Sequence, residues 1–207
     1  MSPHISIQGV RFVYPDGTLA LQTVDLEIAP GDRLAIIGQN GSGKSTLVRQ
    51  LNGLLRPTEG RVVIDGHDTI DQHVAQLASK VGLAFQNPDR QIFAGRVRTE
   101  VAFGPRNLGV RGTQLERVVT EALVATGLEG EASTNPYDLG YSRRKLLALA
   151  SVLAMNTPIV VLDEPTTGQD ARGVARIQRV VADRKSTYCV GNQLKSSNQK
   201  PVNGSSV

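Results

Sequence analysis

A glycine-rich stretch near the start of the chain constrains its fold more than any other feature. Residues 38–46 read Gly-Gln-Asn-Gly-Ser-Gly-Lys-Ser-Thr and contain the pattern G-x-x-x-x-G-K-[ST] in full. Residues 34–37 before it are uniformly apolar, as in a buried parallel strand, and residues 45–54 after it have a helical pattern. This order of strand, loop and helix predicts a phosphate-binding loop at the N-terminus of the helix.

The residue types in this loop suit a triphosphate and a divalent metal ion. Glycines let the backbone bend until several N–H groups point at one anion. Lys44 supplies a mobile positive charge for the β- and γ-phosphates, and the Ser45 hydroxyl can hold Mg²⁺. The predicted ligands are therefore ATP and Mg²⁺. The loop residues predicted to bind the nucleotide are Gly38, Asn40, Gly41, Ser42, Gly43, Lys44, Ser45 and Thr46.

An acidic pair follows a second fully apolar run, residues 159–162. A carboxylate at the C-terminal end of a strand beside a phosphate loop can hold Mg²⁺ directly or through water, which makes Asp163 a predicted metal ligand. Glu164 would then be placed to polarise a water molecule for attack on the γ-phosphate. Acidic pairs at strand ends are usually only solvated, so this interpretation depends on the phosphate loop.

Strand and helix patterns alternate along most of the chain and predict an α/β domain with a largely parallel sheet over residues 1–184. The sequence Thr113-Gln-Leu-Glu116 has the form of a capping box, with a helix running to about residue 127. Residues 185–207 are rich in Ser, Asn, Gln and Gly. They are predicted to form an atypical, mostly disordered tail.

Composition argues against several classes of protein. The 207 residues carry a net charge of +4 and no Trp, and their longest basic block is residues 143–145, which is unlike a nucleic-acid-binding surface. The single cysteine, Cys189, cannot form an internal disulfide and indicates a reducing compartment. The longest apolar stretch, residues 146–155, is well short of the roughly 20 residues that span a bilayer.

Taken in order, several motifs make the chain resemble an ABC-type ATPase domain, and within that superfamily the energy-coupling-factor and cobalt-importer ATPases. Besides the phosphate loop and the acidic pair, they are Phe-Gln-Asn-Pro-Asp-Arg-Gln-Ile-Phe at residues 85–93, Glu-Val-Ala-Phe-Gly-Pro at residues 100–105 and Thr-Thr-Gly-Gln-Asp at residues 166–170. The resemblance covers residues 4–184. It implies a P-loop fold with an N-terminal antiparallel β subdomain and a helical subdomain inserted before the signature helix.

The resemblance also assigns roles to single residues. Tyr14 matches the aromatic that stacks on adenine, and Gln86 matches the Q-loop glutamine that reaches the magnesium and the attacking water. Asp170 takes the acidic position of the D-loop. The predicted catalytic residues are then Glu164 and Gln86, and the predicted metal-binding residues are Ser45, Gln86 and Asp163.

Two positions depart from the family pattern. Residues 139–143 read Leu-Gly-Tyr-Ser-Arg where the family has Leu-Ser-Gly-Gly-Gln, so Tyr141 replaces a glycine at a loop that contacts phosphate in the opposite subunit. The basic residues 143–145 could bind that phosphate or be solvated, and we expect a phosphate role. The family's switch histidine is also absent, because the last histidine is His73. If residues 187–190 form the strand before the switch, Gln193 takes its place, and a truncated or frame-shifted C-terminus is expected.

The resemblance implies a subunit on the cytoplasmic face of the cell membrane. A second ATPase subunit, identical or different, and a transmembrane transporter subunit are its implied partners, and a metal ion or vitamin is the implied cargo. Hydrolysis of ATP to ADP and phosphate is expected to be weak, because the switch histidine is absent. Two alternatives stay open: an impaired or truncated remnant that binds nucleotide without turnover, and a soluble ABC protein without a role in transport.

Overall fold

The computed structural model describes residues 4–183, 187–191 and 200–203. The strands in these residues are β1 (Ile5–Val13), β2 (Leu19–Ile28), β3 (Arg33–Ile37), β4 (Glu59–Ile64), β5 (His67–Asp68), β6 (Val81–Ala84), β7 (Ile159–Asp163), β8 (Thr187–Gly191) and β9 (Lys200–Asn203). The α-helices are α1 (Lys44–Leu51), α2 (Val74–Lys80), α3 (Val97–Asn107), α4 (Gly112–Thr126), α5 (Tyr141–Ala154) and α6 (Ala171–Asp183). Short 3₁₀ turns lie at Thr69–Asp71, Pro88–Arg90, Glu129–Glu131 and Pro136–Asp138.

The N-terminal strands form an antiparallel sheet in the order β2, β1, β4, β5. Ile5 and Ile7 of β1 are buried, and they pair across the sheet with Ile28 and Leu26 of β2 in antiparallel register. The predicted antiparallel β subdomain is therefore confirmed.

A second sheet is parallel and has the order β6, β7, β8, β3, β9. All five residues of β7 are buried, as expected of a strand covered on both faces. Strand β8, which contains residues 187–190, lies between β3 and β7. Because β3 and β7 both end at the same edge, the phosphate loop and the acidic pair meet there.

The stretch predicted as a disordered tail contributes strands to this sheet where the structure describes it. Thr187–Gly191 pairs with β3 and β7, and Lys200–Asn203 pairs with β3 on its other side. The parallel sheet thus extends past residue 184. Gln193, in the predicted switch position, lies outside the described residues.

Two apolar cores support these layers. One lies between the antiparallel sheet, α1 and one face of the parallel sheet, and includes Ile64, Leu51 and Val161. The other joins α3, α4, α5 and α6 to the opposite face, and includes Val101, Leu147 and Leu162. The helices α3 and α4 of this core precede α5, which is where the helical subdomain is predicted.

Candidate functional site

The glycine-rich loop has the backbone geometry that an anion cradle needs. It runs from the end of β3 to Lys44, and it turns through positive φ values of +85° at Gly41 and +78° at Gly43. A Cβ atom at Gly43 would collide with the carbonyl oxygen of Ala20 on β2. Glycine is therefore required there both by the left-handed backbone and by the close approach of β2.

Lys44 is 7% exposed, and its ammonium group folds back over the loop. Its Nζ donates to the carbonyl oxygens of Gly38 at 2.8 Å and Gln39 at 2.7 Å, and lies 3.5 Å from Ser42 Oγ. These contacts hold the positive charge at the first turn of α1, where the helix dipole also favours an anion.

Ser45 and Asp163 are brought together from opposite parts of the sequence. The Ser45 hydroxyl donates to Asp163 Oδ1 at 3.0 Å. Asp163 ends β7 and is 2% exposed, and its other oxygen, Oδ2, is buried without a hydrogen-bond partner among the described residues. A buried carboxylate oxygen without a partner is costly, and it is a group that a bound cation would satisfy.

Burial raises the pKa of the Asp163 carboxyl above its ordinary value of 3.8, and the hydrogen bond from Ser45 and the charge of Arg49 oppose that rise.

The described residues contain no group of three or more His, Cys, Asp or Glu side chains that could hold a metal. Hard oxygen donors such as a hydroxyl and a carboxylate nonetheless suit Mg²⁺, which takes its remaining ligands from water and phosphate. The residues present fit the predicted Mg²⁺ site.

Glu164 and Gln86 also meet in the structure. Glu164 has a left-handed backbone, with φ +47°, and its N–H donates to the carbonyl of Gly191 at 3.0 Å. Its carboxylate Oε2 accepts from Gln86 Nε2 at 2.8 Å and from Thr167 Oγ1 at 3.2 Å. This conformation directs the side chain of the second acidic residue into the cleft beside the phosphate loop.

A cleft of about 350 Å³ joins these parts. Of the predicted site residues, its walls include Tyr14, Asn40, Gly41, Ser42, Gly43, Lys44, Ser45, Thr46, Gln86 and Glu164. Gly38 and Asp163 contact the cleft residues Lys44 and Ser45. Thr18, Leu19 and Ala20 also line the cleft, and the sequence analysis missed them because they belong to no motif.

The altered signature segment contacts its own chain. The ring of Tyr141 packs beside Gly168, where an added Cβ would lie 2.9 Å from the ring, and its hydroxyl lies 3.5 Å from the carbonyl oxygen of Gln86. Ser142 and Gln169 exchange two hydrogen bonds of 2.9 Å. The start of α5 is therefore attached to residues 166–170, the predicted D-loop.

The basic residues at the start of α5 also have partners in the chain, and their expected contact with phosphate in an opposite subunit stays a prediction. Arg143 pairs with Glu131 and donates to the Gly127 carbonyl at 2.8 Å. Arg144 Nε lies 3.0 Å from Asp89 Oδ1. These guanidinium groups face protein acceptors, and neither lines the cleft.

Lys145 makes a contact with the acidic pair that the sequence did not reveal. It is 6% exposed, and its ammonium donates to the carbonyl oxygens of Glu164 and, at 3.1 Å, of Thr167. Burial lowers the pKa of the Lys145 ammonium, while the carboxylates of Glu164 and Asp163 act in the opposite direction. Lys145 of α5 thus fixes the backbone of Glu164 through its carbonyl oxygen.

Comparison with known proteins agrees with the motif order. The ABC transporter family model matches residues 21–167. The chain is 44% identical over 178 residues to the energy-coupling factor transporter ATP-binding protein EcfA of Methanothermobacter thermautotrophicus, an alignment that covers 84% of this chain and 57% of that protein. It is 45% identical over 179 residues to a putative ABC transporter ATP-binding protein of Pyrococcus furiosus, covering 86% of this chain and 68% of that protein.

Solved structures resemble the fold over nearly all of the chain. CbiO1 from Clostridium perfringens, part of the ABC transporter complex cbiONQ, has a TM-score of 0.78 and 31% identity, with 90% of this chain and 77% of that chain covered. A dimeric ATP-binding cassette in a post-hydrolysis state bound to ADP and Pi has a TM-score of 0.80 and 28% identity, with 90% and 87% covered.

Proposed function

The chain belongs to the ABC transporter family of ATPase domains, of the energy-coupling-factor type, and on that premise we propose that it binds Mg-ATP to power a membrane importer. The proposed cargo is a metal ion or a vitamin. Because the chain spans 57% of the length of EcfA, the activity and partners of the whole relative enter here as part of the proposal.

One observation carries the nucleotide-binding part: the hydroxyl of Ser45 contacts Asp163 at the end of β7, beside the cradle that contains Lys44. A phosphate cradle and a metal-binding carboxylate at one sheet edge form the arrangement that holds a nucleoside triphosphate with its metal. The side chains of Tyr14 and Leu19 supply apolar surface for a base at the other end of the cleft.

Each site residue has a proposed role. Lys44 would exchange its carbonyl contacts for phosphate oxygens, and Ser45 and Asp163 would hold Mg²⁺, which neutralises charge on the phosphates when bound. Glu164 would accept a proton from a water molecule attacking the γ-phosphate. Gln86 already hydrogen-bonds the Glu164 carboxylate and would orient both the carboxylate and that water.

An exposed aromatic pair supports docking to a transmembrane partner. Phe93 is 59% exposed and Phe103 is 46% exposed, and their rings meet edge to face with centroids 4.6 Å apart. The buried carboxylate of Glu100 accepts the N–H groups of Phe93 at 3.0 Å and Ala94 at 2.8 Å, which fixes the loop. Exposed, rigid aromatic surface is typical of interaction sites, and this one follows Gln86 in the chain.

The described helices include none long and apolar enough to cross a membrane. In the proposal, a transmembrane partner subunit supplies the membrane-spanning element. The chain would lie on the inner face of the membrane and pair with a second ATPase subunit, as the dimeric cassette does.

We infer that the isolated chain hydrolyses ATP weakly. The sequence has no histidine after His73, and the signature segment carries Tyr141 in contact with its own Gly168. The same contact favours the alternative of a subunit that binds nucleotide without turnover.

Thermal unfolding and phosphate release test these proposals together. Mg-ATP should raise the melting temperature of the isolated chain. Turnover should be slow for the isolated chain and rise when a partner ATPase is added. Unchanged melting with Mg-ATP would contradict nucleotide binding, and rapid turnover by the isolated chain would contradict the inferred weakness. Slow turnover that a competent partner does not raise would favour the alternative without turnover.

A further inference from the structure

Two adjacent hydroxyl groups at the start of α1 point to different partners. Ser45 donates to the carboxylate of Asp163, whereas Thr46 Oγ1 lies 2.9 Å from the hydroxyl of Tyr14. Successive helix residues are separated by about 100° around the axis, so neighbouring side chains can serve different sides of one site. The Thr46 side chain therefore contacts Tyr14, the aromatic residue predicted to stack on the base.

Tyr14 is held from two directions. Its ring meets Phe12 edge to face, with centroids 4.9 Å apart and an interplanar angle of 88°. Its hydroxyl pairs with Thr46, which is 6% exposed and anchored in the first turn of α1. An aromatic ring fixed at both its edge and its hydroxyl presents a surface that loses little freedom when a base stacks on it.

We propose that the Thr46 side chain is a positioning residue for Tyr14, and that the Tyr14–Thr46 hydrogen bond couples recognition of the base to the phosphate loop. The inference rests on the proposed nucleotide binding. It gives the Thr46 hydroxyl a role in binding the base, while the backbone of Thr46 continues the phosphate-binding turn. The ligand class that gains from this bond is a triphosphate carrying a planar base. Inorganic triphosphate does not gain from it.

The test compares Thr46→Val, Tyr14→Phe and the double variant with the wild-type chain, using calorimetry with Mg-ATP and with magnesium triphosphate as separate probes. Valine keeps the shape of threonine, and phenylalanine keeps the ring. Each single variant should bind Mg-ATP about 3- to 10-fold more weakly, because one hydrogen bond is lost. The double variant should be no weaker than either single variant. Magnesium triphosphate, which carries no base, should lose less affinity than Mg-ATP in each variant. Thr46→Ser, which retains the hydroxyl, should bind Mg-ATP like the wild-type chain.

Several results would overturn the proposal. If Thr46→Val weakens magnesium triphosphate as much as Mg-ATP, the hydroxyl binds phosphate. If the two single losses add in the double variant, the residues act independently. If both single variants bind Mg-ATP as tightly as the wild-type chain does, this inference is wrong and the proposed function is unaffected. If the wild-type chain does not bind Mg-ATP, both are wrong. Matched melting temperatures show that each variant is folded.

Discussion

Replacing Asp163 by Asn should stabilise the nucleotide-free protein while weakening its metal-dependent binding of ATP. Asp163 is 2% exposed, its Oδ1 accepts from Ser45, and its Oδ2 is buried without a partner among the described residues. The amide of Asn retains an oxygen for Ser45 and removes the buried negative charge. If Asp163 serves metal binding at a cost to stability, its replacement should raise the free energy of unfolding and lower the metal-dependent affinity for ATP.

The size of the effect follows from the unpaired oxygen. Leaving a buried polar group unsatisfied costs about 1–3 kcal/mol, and more when the group is charged. Because the Asn amide nitrogen would itself lie in the same pocket, only part of this cost is recovered, and we expect a gain of about 1–2 kcal/mol. For a domain of this size, that corresponds to a rise in melting temperature of about 2–8 °C.

The pH dependence has a defined sign. Burial raises the pKa of Asp163 in the folded state above 3.8, so the folded protein binds its proton more tightly than the unfolded chain does. The wild-type chain therefore loses stability relative to Asp163→Asn as the pH rises from about 4 through the folded pKa. The difference should be small at the acidic end of that range and largest above the folded pKa.

Thermal unfolding of both proteins with EDTA between pH 4 and pH 8 measures this difference. Asp16→Asn is a matched control, because hydrogen bonds from Thr18 lower the pKa of the exposed Asp16, and its loss should not raise the melting temperature. Calorimetry with ATP, with and without Mg²⁺, completes the test. A melting temperature for Asp163→Asn at pH 8 equal to or below that of the wild type would refute the reasoning.

Two further substitutions test the role of Lys145 beside Glu164 and the role of Phe93 in docking. Lys145→Met should lower the free energy of unfolding by about 1–3 kcal/mol, because the carbonyls of Glu164 and Thr167 lose a charged donor. It should also speed hydrogen exchange of the backbone over residues 164–170; unchanged exchange there would contradict the role of Lys145. Phe93→Ser should lower stability by only about 0.5–1.5 kcal/mol, the value of its contact with Phe103, because the ring is otherwise 59% exposed. It should nevertheless abolish co-purification with the transmembrane partner, and retained co-purification would exclude the aromatic pair as the docking surface.

The phosphate loop and its surroundings could be predicted because the chemistry is local in sequence. Glycine at residues 41 and 43, followed by Lys44 and Ser45, specifies both the backbone bend and the charges. The meeting of Ser45 with Asp163 could be expected from the rule that parallel strands end at one edge of their sheet. The capping box at Thr113 was wrong, because α4 begins at Gly112 and its N-terminus has no side-chain cap.

Contacts that α5 makes with the motifs could not be predicted, because they depend on how this helix packs against the sheet. The sequence did not reveal that packing of α5 places Arg143 against Glu131 and Lys145 against the backbone of Glu164. The strand Thr187–Gly191 was uncertain in sequence, because polar tail residues surround it. Its place in the sheet comes from pairing with both β3 and β7.

Isothermal calorimetry of Mg-ATP binding to the wild-type chain and to Lys44→Ala tests the central claim most directly. The ammonium of Lys44 lies over the loop, 2.8 Å from the Gly38 carbonyl, and Lys44 lines the cleft in which the phosphates are expected. We predict saturable binding with one ATP per wild-type chain. Lys44→Ala should lose most of this affinity while remaining folded, with a melting temperature that is lower only by the loss of its hydrogen bonds to the Gly38 and Gln39 carbonyls. No heat from the wild-type chain, or equal affinity in both proteins, would contradict the assignment of this loop as the nucleotide site.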